Sequence, residues 1–255
     1  MAEAKKSLKQ NYFCSLLQQA VSVALPLVTV PYLSRVLGPE GLGIVAFSGS
    51  IVQYFILFGG LGLALYGNRT VASVREDRVL RSQIFWEIFT LRAGLTLVSL
   101  LCFLAGLQAT KPIHIEVYLV QSLLILAASL DISWLYMALE DFRKIAIRNI
   151  TIRLFGLALI FLLVRKPGDF AIYAAVSALT EMLGQATYWV QIGELVKAPD
   201  WNKLKWGVHL RPTLALFVPQ LAIQVYVVLD KTMLGLLSSV SEVAIYAQPE
   251  RIIKT

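Results

Sequence analysis

The amino-acid sequence predicts an all-α fold, a polytopic bundle of membrane helices. Three observations lead there. Of the 255 residues, 57% are hydrophobic and 15% are charged, against about 25% charged in a soluble domain, and the mean hydropathy is +0.69. The run at 214–237, LALFVPQLAIQVYVVLDKTMLGLL, is long enough at about 1.5 Å per residue to cross a hydrocarbon core of about 30 Å. Finally, the net charge is +7, yet Lys and Arg gather between the apolar runs. That distribution marks membrane topology rather than a nucleic-acid surface, so no nucleic acid is expected as a partner.

The first span is predicted at 12–33. Lys5, Lys6 and Lys9 before it imitate a signal peptide, but Gln18 and Gln19 interrupt the apolar core and no small-residue cleavage site follows, so the helix is read as retained. Pro26 and Pro31 inside it are candidate bending points. The turn at 35–43, RVLGPEGLG, is glycine–proline turn chemistry without dinucleotide spacing. The second span, 44–66, holds Gly49, Ser50, Gly59, Gly60 and Gly62, which allow close helix approach, with Gln53 and Tyr54 adding polar atoms. A basic loop carries Arg69, Arg75, Arg78 and Arg81. In the third span, 84–107, Glu87 and Arg92 are five apart and cannot pair along one helix. Each needs a partner elsewhere, and Arg92 lies deeper.

The fourth span, 117–139, carries Asp131 in the stretch DISWLY, and a charged amphipathic link follows at 140–148. The fifth, 150–164, has Arg153 near its start. The sixth, 170–192, places Glu181 and Gln185 four apart on one face. Residues 194–211 form an amphipathic linker in which Trp201, Trp206, Lys203 and Lys205 suit the headgroup region. The seventh span, 214–237, contains Pro219 as a third bending point, and the adjacent Asp230 and Lys231 either face a wet interior or anchor the helix near water. An eighth helix begins near Glu242.

One set of alternate loops carries fourteen Lys and Arg, the other four, which places the N-terminus in the cytoplasm. Cys14 and Cys102 show neither a disulfide framework nor metal-ligand spacing. His114 and His209 fall on opposite sides and cannot share a site. The adjacent pair Glu140–Asp141 reads as a solvated face. No catalytic residue, metal or other cofactor is expected.

Three segments read together: RVLGPEGLGIVAFS at 35–48, DISWLYMALEDFRKIAIRNI at 131–150 and LFVPQLAIQVYVVLDKTMLGLLSS at 216–239. With them the chain resembles the polysaccharide repeat-unit flippases, the O-antigen or Wzx-type branch of the multidrug/oligosaccharidyl-lipid/polysaccharide exporter superfamily. The resemblance implies two six-helix lobes around a central cavity, in a bacterial inner membrane. It implies transfer of an undecaprenyl-pyrophosphate-linked oligosaccharide between leaflets for surface polysaccharide assembly. Its implied partners are that lipid-linked oligosaccharide, membrane lipids, and polysaccharide polymerase and chain-length proteins. Against it, the chain divides as a six-helix lobe at 1–193, the linker at 194–211 and the first one or two helices of a second lobe at 212–255. It is read as truncated, with pairing of two copies as the alternative.

A pyrophosphate with sugars cannot cross lipid unaided, and arginine suits phosphate through its paired donors. Arg92, Arg153 and Lys231 are therefore the cationic candidates, while Asp131, Glu181 and Asp230 balance them or couple an ion. For each, an interhelical pair that only holds the bundle is the competing reading. No nucleotide-binding loop supports ATP drive. The rival functions are a cation-coupled drug exporter of the same superfamily and a membrane enzyme acting on polyprenyl-phosphate sugars.

Overall fold

The structure, a computed structural model, describes the backbone of residues 2–253 and the side chains of 16–202 and 204–251. The side chains of Lys5, Lys6, Lys9, Cys14 and Lys203 lie outside the described residues. In chain order the helices are α1 (Ala2–Val36), α2 (Gly38–Gly60), α3 (Leu63–Ser73), α4 (Arg78–Thr110), α5 (Ile115–Leu130), α6 (Ser133–Ala138), α7 (Phe142–Leu163), α8 (Phe170–Thr187), the short α9 (Ile192–Leu195), α10 (Gly207–Leu237) and α11 (Val240–Ile253). No strand occurs among the described residues.

The bundle is inverted relative to a soluble one. On α4, Arg92, Thr96 and Ser99 are buried, while Leu97, Val98 and Leu101 are more than half exposed. The polar stripe runs at helical spacing into the protein and the apolar stripe faces out, as lipid requires. Among the described residues, six helical segments are long and apolar enough to cross a membrane: Leu16–Val36, Gly38–Ser73, Arg78–Thr110, Ile115–Ala138, Phe142–Leu163 and Gly207–Leu237. The protein is a multi-pass membrane bundle. The seven spans read from sequence differ from these six by α8, which carries Glu181 and packs along α5 and α7. α2 is central, touching α4, α5, α10 and α11.

Two of the crossing segments are broken within their length. Between α2 and α3 the chain passes through Leu61 at φ 42° and Gly62 at φ 73°, left-handed geometry that suits glycine. Thr96 Oγ1 on α4 donates to the Gly59 carbonyl in the last turn of α2 at 3.4 Å, and Ser99 Oγ to the Phe55 carbonyl one turn earlier at 2.6 Å. Between α5 and α6 the helix stops at Asp131. Here Trp189 Nε1 donates to the Leu130 carbonyl at 2.9 Å and Arg92 to the Asp131 carbonyl at 2.9 Å. A lipid interior offers no water to bare carbonyls, so these side-chain donors are what permit the breaks. The broken segments meet each other: Trp134 of α6 lies against Gly67 of α3, where a Cβ would come within 2.7 Å of the indole.

At one end of the bundle, Arg75 pairs with Glu140 at 2.8 Å. On the same side, Arg78 and Arg81 donate to the carbonyls of Gly193 and Leu195 at 2.9 and 2.6 Å. The segment after α9 is stitched onto α4 by Trp86 Nε1 to the Lys197 carbonyl, the Lys205 amide to Glu87, and Trp206 Nε1 to Thr90 Oγ1. At the other end Tyr32 Oη reaches the Val164 carbonyl at 2.7 Å. Pro26 and Pro31 sit inside a continuous α1, and Pro219 inside a continuous α10.

Candidate functional site

Three hollows lie in sequence between the helices. The first, of about 260 Å³, is lined by Asp131, Arg148, Asn149, Arg153, Glu181 and Tyr188, among others. The second, of about 450 Å³, shares Arg153 and Glu181 with it and adds an apolar wall including Leu25, Leu157 and Val176. The third, of about 480 Å³, lies between α2, α10 and α11, and Arg251 lines both it and the second.

The structure places the six predicted residues in different ways. Arg153 falls near the middle of α7, because that helix begins at Phe142 rather than at 150. It lines the first two hollows and donates to Ser22 Oγ of α1. Glu181 lines the same two, accepting from Gln185 Nε2 at 2.6 Å, one turn along α8. Lys231 lines the third hollow and pairs with Glu250 at 2.7 Å. Asp131 lines the first and pairs with Arg92 at 3.2 Å. Arg92 itself stands apart from these three hollows and reaches them only through Asp131. Asp230 also stands apart, accepting from Tyr246 Oη of α11 at 2.5 Å. The three predicted cations therefore share no single hollow, though Arg153 and Lys231 line adjoining ones.

Sequence reasoning missed Arg148 and Arg251. Arg148 lies over the Tyr188 ring at 3.8 Å and donates to Thr187 Oγ1 at 2.9 Å. Its neighbours are neutral: among the described residues no carboxylate pairs with Arg148 or with Arg153. A guanidinium in a recessed site whose direct partners are neutral, with Asp131 and Glu181 on the same walls but not paired to it, keeps donors free for an anion. The spacing gave no signal for Arg148, which is five before Arg153; only Asn149 is four from Arg153 and shares its face. Arg251 donates to Tyr173 Oη at 2.7 Å. Glu140 and Asp141 are occupied, the first by Arg75 and the second in capping α7 through the Lys144 amide.

Fold and hollows together define a multi-pass membrane protein with a polar interior of mixed charge. The chain belongs to the polysaccharide biosynthesis protein family, whose profile matches residues 8–255. It is similar to a candidate O-antigen transporter of Escherichia coli (strain K12), with 29% identity over 171 residues, 66% of this chain and 41% of the relative. A candidate O-antigen transporter of Shigella dysenteriae is 24% identical over 163 residues, 64% of this chain and 41% of the relative. The succinoglycan biosynthesis transport protein ExoT of Rhizobium meliloti (strain 1021) is 33% identical over 81 residues, 32% of this chain and 16% of the relative. The chain thus spans about two fifths of the O-antigen relatives it matches. No solved structure matches it. The family resemblance read at 35–48, 131–150 and 216–239 agrees with this membership.

Proposed function

We propose that the chain forms part of a passage for lipid-linked oligosaccharide repeat units across a bacterial inner membrane, serving surface polysaccharide assembly. The observation that carries this reading is the pair Arg148 and Arg153, both lining the first hollow with neutral hydrogen-bond partners, Arg153 also facing the apolar wall of the second. A pyrophosphate head answers the two guanidinium groups, and the apolar wall of the second hollow suits the first units of a polyprenyl tail. Asp131 and Glu181 keep the hollows hydrated and set their net charge. The names of the O-antigen and succinoglycan relatives support polysaccharide units as the cargo. The charge bias of the loops supports a cytoplasmic N-terminus. Residues 1–193 act as one lobe, 194–211 as its cytoplasmic strap, and 212–255 as the beginning of a second lobe. Moving cargo by two rocking halves requires that division.

The test is a flipping assay. Proteoliposomes carrying this chain receive a fluorescent prenyl-pyrophosphate oligosaccharide, and its exposure on the outer leaflet is followed by quenching. The expected result is faster exposure than in protein-free liposomes, reduced at least tenfold by Arg148→Gln with Arg153→Gln, about 1.4 kcal/mol or more. Exposure that the double substitution leaves unchanged overturns the reading; where this chain alone gives the protein-free rate, the same comparison is made in a full-length O-antigen relative with the matching basic positions replaced, and unchanged exposure there overturns it.

A further inference from the structure

We propose that the hollow between α2, α10 and α11 is a subsite for uncharged sugar rings, distinct from the anion subsite at Arg148 and Arg153. This rests on the transport reading above and divides its cargo between two places. Charge comes first. The cation on the wall of this hollow is answered within the protein: Lys231 pairs with Glu250 at 2.7 Å, with side chains 23% and 10% exposed, while Arg251, at the junction with the second hollow, is held by Tyr173 at 2.7 Å. A phosphate entering here would have to open a mostly buried ion pair and sit beside the released Glu250 carboxylate, which like-charge repulsion opposes.

What the hollow offers instead is amides. Gln53 of α2, Gln224 of α10 and Gln248 of α11 all line it. Each carries two donors and a carbonyl acceptor, the set that matches neighbouring hydroxyls of a sugar. The Gln248 Oε1 atom is buried with no hydrogen-bond partner among the described residues, a state that carries a desolvation cost until something donates to it. Gly49 contributes no side chain, and Val45, Val227 and Val228 give the apolar surface that a sugar ring's C–H face requires. The volume, about 480 Å³, falls in the range of small-molecule sites. Continuity completes the case. Arg251 lines both this hollow and the one carrying Arg153, so a sugar bonded directly to a pyrophosphate spans the two without leaving the polar interior.

The experiment compares two probes on the full chain in nanodiscs: a short prenyl pyrophosphate, bare, and the same lipid bearing a neutral disaccharide. Wild type should bind the glycosylated probe more tightly. Gln53 and Gln224 are each replaced by Ala and by Glu, and the ratio of the two Kd values is read from whichever variant still binds the bare probe. Each replacement should lower the preference for the glycosylated probe about five- to tenfold, because a site built around hydroxyls discriminates through its polar groups. Arg153→Gln should weaken both probes together. If the Gln variants leave the preference unchanged, or wild type shows none, the sugar subsite fails while the transport reading stands. If wild type holds neither probe, the transport reading fails and this inference falls with it.

Discussion

Arg92 donates to Asp131 twice, to its main-chain carbonyl at 2.9 Å and to its carboxylate at 3.2 Å. One guanidinium therefore does two jobs: it satisfies a carbonyl bared by the α5–α6 break and neutralises the acid beside it. Asp131 in turn accepts from the Ser133 amide at 2.9 Å, which starts α6. Arg92→Ala should destabilise the protein by about 3 kcal/mol, the cost of leaving a largely buried partner uncompensated. Arg92→Lys should recover less than half, since an ammonium lacks the planar fork that reaches both oxygens. Thermal unfolding in detergent should show a drop of roughly 6–12 °C for the Ala variant.

Glycine at two positions sets how closely α2 approaches the last helices. A Cβ at Gly43 would collide with the Val240 main chain, and one at Gly235 with the Phe47 ring. The first is the stricter, because main chain cannot rotate aside. Gly43→Ala should cost about 1–3 kcal/mol through forced separation of α2 and α11. Gly94→Ala and Gly106→Ala meet nothing within 4 Å and should be neutral or stabilise by about 0.5–1 kcal/mol, as expected of glycine removed from a helix interior. Melting temperatures of the three variants in one detergent check the contrast.

The helices were legible because lipid demands long apolar runs, but glycines marked few of their ends: the turn read at 35–43 shrinks to Leu37, with α1 running to Val36 and Gly41 and Gly43 inside α2. The start of α7 was not legible either. Arg143, Lys144 and Arg148 look like loop charges, yet the helix begins at Phe142, and its basic first turns run along the protein's edge. That shift moved Arg153 from the membrane surface to the helix middle and hid Arg148 from view. The breaks at Leu61–Gly62 and Asp131–Ile132 were likewise hidden. Each is held by donors from distant helices, Thr96 and Ser99 in one case and Arg92 and Trp189 in the other, and no local pattern announces a tertiary partner. The need of Glu87 and Arg92 for separate partners was legible from their spacing; which partners were used was not.

Glu87 and His209 form another buried contact, with Oε2 to Nε2 at 2.8 Å and both side chains 5% exposed. Tyr66 Oη meets the other ring nitrogen at 2.9 Å, and the Lys205 amide donates to Glu87 at 2.9 Å. The start of α10 is thus tied to α3 and α4 through one carboxylate. His209→Ala should cost about 2–4 kcal/mol and Glu87→Gln less, because the amide fills the same space and still offers an acceptor to the Lys205 amide. The double variant should fall short of the sum by about 1–3 kcal/mol, the coupling expected of residues in one network. Limited proteolysis should report the same loss locally, with faster cleavage at Lys205 in either single variant.

Asp169 controls the turn between α7 and α8 at the protein's surface. Its Oδ2 accepts from the main-chain amides of Arg165 and Lys166, each at 2.8 Å. Those two bonds, that of Arg165 first, hold its carboxyl below the usual carboxylate range. The sign follows from a depressed folded-state pKa. The carboxylate's contribution to the turn is fully present above the unfolded value of about 3.9 and is lost as pH falls through the lower folded value. Hydrogen exchange of the Arg165 and Lys166 amides, corrected for intrinsic rate, should therefore show constant protection from neutral pH down to about pH 4 and declining protection below it. Asp169→Asn should lower that protection from neutral pH down to about pH 4, to the level wild type reaches in acid, and remove the acid transition. Protection that begins to fall at pH 6, or that survives the substitution, would mean that another group holds the turn.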